Sequence, residues 1–174
     1  PMRQLRRAVN YDFLTDVLTR SALLHQGQRL LDLSSHAGQP AAVLMLDLDH
    51  FKRVNDSYGH AAGDQLLRSF SQLLMQNLRP QDAVGRLGGE EFAAVLPQVG
   101  RTAAVEITER INQATRELRV DCGPHQIEAT VSIGLVHVQT MDAPHQLSQL
   151  LQEADTALYQ AKSQGRDRIE ALFL

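Results

Sequence analysis

Ala83-Val-Gly-Arg-Leu-Gly-Gly-Glu-Glu-Phe-Ala-Ala-Val-Leu96 places two short apolar runs on either side of a glycine pair. Ala83 to Leu87 and Glu91 to Leu96 read as strands, and Gly88-Gly89 tolerates the positive φ angles of a tight hairpin turn. Before the hairpin, a helical stripe of Leu66, Leu67, Phe70, Leu73 and Leu74 predicts a helix from about Ala61 to Leu78, closed by Pro80. Upstream of that helix, Ala41-Ala-Val-Leu-Met-Leu46 is short, apolar and followed by Asp, which suits a buried central strand. Leu23, Leu24, Leu30, Leu31 and Leu33 follow Thr19, a candidate N-cap, and predict a first helix that stops at Gly38 and Pro40. After the hairpin come a helix from about Thr102 to Leu118, a strand region from Gln126 to Val138, a helix from about Leu147 to Ser163 and a last strand near Arg168 to Phe173. A central hairpin must pair antiparallel, so the expected fold class is α+β, with a mainly antiparallel sheet covered by helices.

The 174 residues suit one domain, and 43% hydrophobic with 21% charged residues is an ordinary globular balance. A net charge of -3 gives no global attraction to nucleic acid or anionic lipid, so neither is an expected partner and any phosphate must be held locally. The lone Cys122 has no partner at disulfide or zinc-finger spacing, which fits a reducing, cytoplasmic setting. The longest apolar stretch, Ala41 to Leu48, is too short to span a bilayer, and no signal-peptide core is present at the N-terminus. Arg3-Gln-Leu-Arg-Arg7 reads as the end of a helix entering from elsewhere, so residues 1–10 are taken as the end of a linker helix and 11–174 as the domain.

Asp47 and Asp49 sit at alternate positions at the end of the apolar strand, so continued extension would point both to one face. Aspartate is a poor strand residue and costly to bury alone, so two of them here need a reason. Strand termination with capping is one, and metal binding is the other. Glu90 and Glu91 adjoin a turn that can bring them beside the neighbouring strand end, with at most one fully on the Asp47 face. Converging carboxylates repel without a cation, whereas Mg²⁺ takes hard oxygen ligands together with substrate phosphates, so a metal-phosphate site explains the cluster more simply.

Asp47-Leu-Asp-His-Phe-Lys52, Asn55-Asp-Ser-Tyr-Gly-His60, Gly63-Asp64, Arg86 to Phe92, Ser132-Ile-Gly134, Ala154-Asp155 with Ala157-Leu-Tyr159-Gln-Ala-Lys162, and Gly165-Arg166 together resemble the GGDEF family of diguanylate cyclases, in order from about Asp12 to Arg168. The resemblance implies a fold like polymerase palms and nucleotidyl cyclases. It implies condensation of two GTP to cyclic di-GMP with release of two pyrophosphates, each GTP on one protomer of a homodimer. In a bacterial cytoplasmic protein of this kind, an upstream sensory domain is expected, and the full-length chain can be membrane-anchored although this segment makes no membrane contact.

By the same resemblance, Asp47, the carbonyl of Leu48, Glu90 and Glu91 bind Mg²⁺ or Mn²⁺, and Glu90 is the catalytic carboxylate, whether as proton acceptor or as metal ligand. Asn55 and Asp64 read guanine, because a carboxylate accepts from N1 and N2 donors that adenine lacks on that edge; as an isolated residue, Asp64 reads equally as a first-turn acid. Phe51, Lys52, His60, Gly88 and Gly89 complete the substrate contacts. Lys162 and Arg166, four apart and on one face if the helix persists, clamp the triphosphate; a basic last helical turn is the alternative. Arg79-Pro-Gln-Asp82 resembles the family's inhibitory RxxD site, with Arg110 as accessory arginine, and product feedback is expected there.

The chain departs from the family pattern at Asp16, where Gly is usual, and at Thr19, where Asn is usual, and altered local packing is expected from both. Two rival functions share the fold. A silent receptor for GTP or cyclic di-GMP usually carries a damaged acidic motif, and the motif here is intact. An adenylyl-cyclase-like enzyme would want a different base pocket in place of Asn55 and Asp64.

Overall fold

The computed structural model describes residues 9–140 and 145–174. Eight residues of the expected linker helix, 1–8, lie outside the described residues, and Val9 and Asn10 are helical. In chain order the elements are α1 (Arg20–His36), β1 (Ala41–Leu48), α2 (Phe51–Tyr58), α3 (His60–Asn77), β2 (Ala83–Gly88), β3 (Glu91–Leu96), α4 (Arg101–Glu117), β4 (Val120–Cys122), β5 (His125–Ile127), β6 (Val131–Val138), α5 (Leu147–Ser163) and β7 (Ile169–Phe173). Thr19 caps α1 as expected, its hydroxyl accepting from the Ala22 amide at 3.3 Å.

The main sheet runs β2-β3-β1-β6-β7, and every neighbouring pair is antiparallel except β6 and β7, which are parallel. A parallel pair needs a crossover, and α5 supplies it. Every residue of β1 is buried, which explains its unbroken apolar run: as the central strand it is covered on both faces. Leu44, Leu46, Phe92 and Ile133 face the side packed by Phe51, Phe70, Leu74 and Ile111, and Phe70 meets Phe92 edge to face at 5.3 Å. Val43, Met45, Val95 and Val136 face the other side, packed by Leu23 and Leu31 of α1 and Leu150 and Leu158 of α5.

The structure differs from the sequence reading at three places. The polar stretch after β1, given no element from the sequence, is a helix, α2; Phe51 and Val54 alone are buried in it and give too faint a stripe to read. The expected Gln126–Val138 strand is interrupted: His125–Ile127 pairs with Val120–Cys122 in a separate small sheet, and the main-sheet strand starts at Val131. And α5 ends at Ser163, so Lys162 and Arg166 are not neighbours on one helix face; Arg166 lies in a turn with φ +65°. Asp16, where the family pattern has glycine, adopts φ +62°, a conformation that Asp tolerates better than most side chains. Among the described residues no helix is long and apolar enough to cross a membrane.

Candidate active site

Asp47, the last residue but one of β1, faces Glu91 of β3 on one side and Ser132 of β6 on the other. Opposed residues share a face, so Glu91 is the glutamate aligned with Asp47. Glu90 stays at the tip, where its carbonyl accepts from the Leu48 amide at 3.4 Å. Asp47 is 4% exposed, and Lys162 donates to its Oδ2 at 2.8 Å from the last turn of α5. Burial chiefly, with the Glu90 and Glu91 charges adding to it, raises the Asp47 carboxyl to about 6 against the opposing pull of the Lys162 hydrogen bond and charge. A buried acid left this high despite its own lysine belongs to a site short of positive charge.

Gly134 makes the Lys162 contact possible. A Cβ there would stand 2.1 Å from the Ala154 carbonyl and 2.6 Å from the Leu158 amide, so only glycine lets α5 lie this close to β6. Among the described residues no three His, Cys, Asp or Glu lie close enough to hold a metal ion by themselves. Asp47, Glu90 and Glu91 are therefore not gathered into a closed metal cluster, and a cation there would draw further oxygens from water and a bound phosphate. Asp47, the Leu48 carbonyl, Glu90 and Glu91 offer only hard oxygen donors.

Asp49 does not join this cluster. Its Oδ1 accepts from the Ser132 hydroxyl at 2.6 Å, and its Oδ2 from the Thr130 hydroxyl at 2.7 Å and the Asp167 amide at 3.0 Å.

On the adjoining helix pair, a Cβ at Gly63 would fall 1.9 Å from Asn55 Oδ1, so the glycine seats the Asn55 side chain against α3 beside the half-buried Asp64. The structure thus packs Asn55 against the residue that precedes Asp64 in α3. Phe51 buries its ring in the core, which leaves only its backbone for a ligand, whereas Lys52 and His60 are exposed. The start of α2 follows Leu48 after two residues, and amides there precede the first intrahelical bond. At the hairpin tip Gly89 has φ +50°, and nothing lies within 4 Å of a Cβ at Gly88 or Gly89, so the space above them is open.

Arg86, present in the motif but with no role expected from the sequence, anchors the tip. Its Nε donates to the Gly89 carbonyl at 2.8 Å and its Nη1 to Asp12 Oδ2 at 3.2 Å. The same Asp12 oxygen accepts from the Thr15 amide and hydroxyl at 3.0 and 2.7 Å. Burial alone would raise the Asp12 carboxyl, but the Thr15 bonds and the Arg86 charge outweigh it and hold it below its ordinary value. Leu18, a few residues on, closes the β2 edge through bonds to Val84 and Arg86.

Arg79 and Asp82 form a fork: Nη2 and Nε donate to Oδ1 at 2.7 and 3.1 Å, and Nη2 also reaches the Pro97 carbonyl at 2.6 Å. The Asp82 side chain is fully buried and holds the arginine in place. Arg110 donates to Asn77 Oδ1 at 3.1 Å and to the Asn77 carbonyl. Beside Arg79 lies a groove of about 520 Å³, lined by Tyr11, Arg29, Leu33, Met75 and Leu78; Arg110 does not line it.

A family model described as "Diguanylate cyclase, GGDEF domain" matches residues 9–168. The chain belongs to the GGDEF family of diguanylate cyclases. It is 36% identical over 170 residues to DgcE of Escherichia coli K12, described as a probable diguanylate cyclase, covering 97% of this chain and 15% of that protein. It is 35% identical over 166 residues to the diguanylate cyclase DosC of the same organism, covering 95% and 35% respectively. Among solved structures it resembles the diguanylate cyclase SiaD of Pseudomonas aeruginosa, determined with its activator SiaC, at TM-score 0.87 and 35% identity over 99% of this chain and 66% of that one. It also resembles the coiled coil and GGDEF domain of DgcB from Caulobacter crescentus, in complex with c-di-GMP, at TM-score 0.89 and 27% identity over 98% and 90%. The chain spans well under half the length of these curated relatives.

Proposed function

We propose that the chain is a diguanylate cyclase domain, one protomer of a homodimer that condenses two GTP into cyclic di-GMP and two pyrophosphates. The observation that carries this reading is the buried, charge-poor Asp47, set against Glu91 and beside Glu90 and Lys162. The Asn55-Gly63-Asp64 cradle lies on the next two helices. A divalent cation, Mg²⁺ or Mn²⁺, held by Asp47, the Leu48 carbonyl, Glu90 and Glu91 supplies neutralising charge for the α-phosphate and the leaving pyrophosphate.

In each half-reaction the 3′-oxygen of one GTP bonds to the α-phosphorus of the other as the bridging bond to the β-phosphate breaks. Glu90 receives or directs away the 3′-hydroxyl proton, pyrophosphate departs, and repetition with the roles exchanged closes the ring. Asp64 accepts from guanine N1–H and N2–H, Asn55 supplies the matching amide, and Lys162 with Arg166 meets the triphosphate. Because each protomer holds one GTP, neither can act alone. Cyclic di-GMP feeds back at Arg79 and Arg110, and control comes from further segments of a longer protein, in keeping with the length of its relatives.

Incubation of the chain at high concentration with GTP and Mg²⁺, and separately with ATP, tests the reading by chromatography of the products. Cyclic di-GMP from GTP alone, at a rate rising more than linearly with protein, is expected. Nucleotide binding without any cyclic product would replace the enzyme by a receptor. Arg79→Ala is expected to relieve product inhibition, and unchanged product affinity would remove the feedback site.

A further inference from the structure

The turn that follows α5 is conformationally unfavourable in itself. Gly165 has φ +122°, and two non-glycine residues, Arg166 and Asp167, come next at φ +65° and +48°. Successive left-handed side-chain-bearing residues persist only where the surroundings hold them. Here the holding groups are identifiable. The Arg166 amide donates to the Ala161 carbonyl at 3.0 Å, and Arg116 grips the Asp167 carboxylate at 2.9 and 3.0 Å. The Asp167 amide ends on Asp49 Oδ2 at 3.0 Å.

Asp49 is the one of these partners that belongs to the metal strand's own turn. It is 5% exposed and accepts three hydrogen bonds, from the β6 approach at Thr130, from Ser132 in β6 and from Asp167. Its amide also donates to the Thr130 carbonyl at 2.9 Å. A carboxylate with both oxygens taken is held rigidly, and each bond to an ionised acceptor is stronger than its neutral counterpart. Two residues after Asp47, it ties the strand end that presents Asp47 and Leu48 to the turn that presents Arg166, bonding to an Asp167 amide 118 residues along the chain.

We infer that Asp49 is a positioning residue: it latches the Gly165-Arg166-Asp167 turn to the end of β1, so that Arg166 is aimed at the triphosphate held beside Asp47. It acts through Arg166, with no contact to the ligand of its own. The inference rests on the proposed reading that Arg166 meets the phosphates.

Asp49→Asn replaces one acceptor oxygen by an NH₂ group, which accepts nothing, so the side chain can no longer accept at both ends from the Thr130 and Ser132 hydroxyls and the Asp167 amide. The test compares two ligands by calorimetry in Mg²⁺: GMP, and a GTP analogue with methylene in place of the α,β-bridging oxygen, which binds without reacting. Asp49→Asn should weaken the analogue about tenfold, the effect of one misaligned charge-assisted hydrogen bond, and leave GMP affinity unchanged. Combined with Arg166→Ala it should add nothing further, because the latch acts through that arginine. Thr130→Val, which removes one donor and keeps the carboxylate, should give the same split between ligands in smaller measure and serves if Asp49→Asn does not fold.

Equal losses for both ligands, no loss in either variant, or full additivity with Arg166→Ala would overturn the latch. Arg166→Ala separates the latch from the phosphate contact it depends on. If it leaves the analogue's affinity intact while cyclic di-GMP still forms, the phosphate role of Arg166 fails; if it weakens the analogue and Asp49→Asn does not, the latch alone fails.

Discussion

Replacing Asp47 by asparagine should stabilise the metal-free protein at neutral pH while abolishing its chemistry. The carboxyl is raised from its ordinary 3.8 to about 6, chiefly by burial and further by Glu90 and Glu91. That displacement corresponds to about 3 kcal/mol. The folded state holds the proton more tightly than the unfolded chain, so the stability from the protonated acid is fully present below pH 4 and is lost as pH rises through about 6. Asparagine has no such loss. The free-energy difference between wild type and Asp47→Asn should therefore move by up to about 3 kcal/mol in the variant's favour between pH 4 and pH 7. Lys162 loses its anion in the variant, a loss moderated because its side chain is 32% exposed. Urea unfolding in chelator at several pH values measures the difference, in which the titration of carboxylates that do not interact with Asp47 cancels. A flat difference across that range would refute the assignment of Asp47 as a site held at the expense of stability.

Gly134→Ala drives a methyl to within 2.1 Å of the α5 backbone, which cannot yield as a side-chain tip can. We expect a loss of about 2 kcal/mol or more and a fall in Tm of roughly 5–10 °C by calorimetry. Gly63→Ala meets the movable Asn55 amide instead, at 1.9 Å. The fold should survive within about 1.5 kcal/mol, while the GTP KM rises about tenfold and discrimination against ATP falls. Arg86→Ala frees the hairpin tip from Asp12, costing about 1 kcal/mol in stability and about tenfold in kcat with little change in KM, since Glu90 rides on that tip.

The parts of this fold that can be read from the sequence are those encoded locally. Gly88-Gly89 between apolar runs, the unbroken β1 and the leucine stripes of α1 and α3 each carry their own period, and the structure has them within a residue or two of the expected bounds. The helix α2 escaped because it offers the core only Phe51 and Val54. The site divides along the same line. Asp47 and Glu91 are recognisable as an acidic strand end and a hairpin, and their register is set once β1 and β3 are paired. The contacts that give the neighbouring residues their roles join positions far apart: Arg86 to Asp12, Lys162 to Asp47, Asp49 to Asp167. No window along the chain contains both members of any of these pairs. Asp49 is the case in point, since its spacing from Asp47 made it read as a second metal ligand or a cap, yet strand spacing fixes only the face a side chain shares. The donors waiting on that face, Thr130, Ser132 and the Asp167 amide, decide what the carboxylate does, and here they consume it before a cation could.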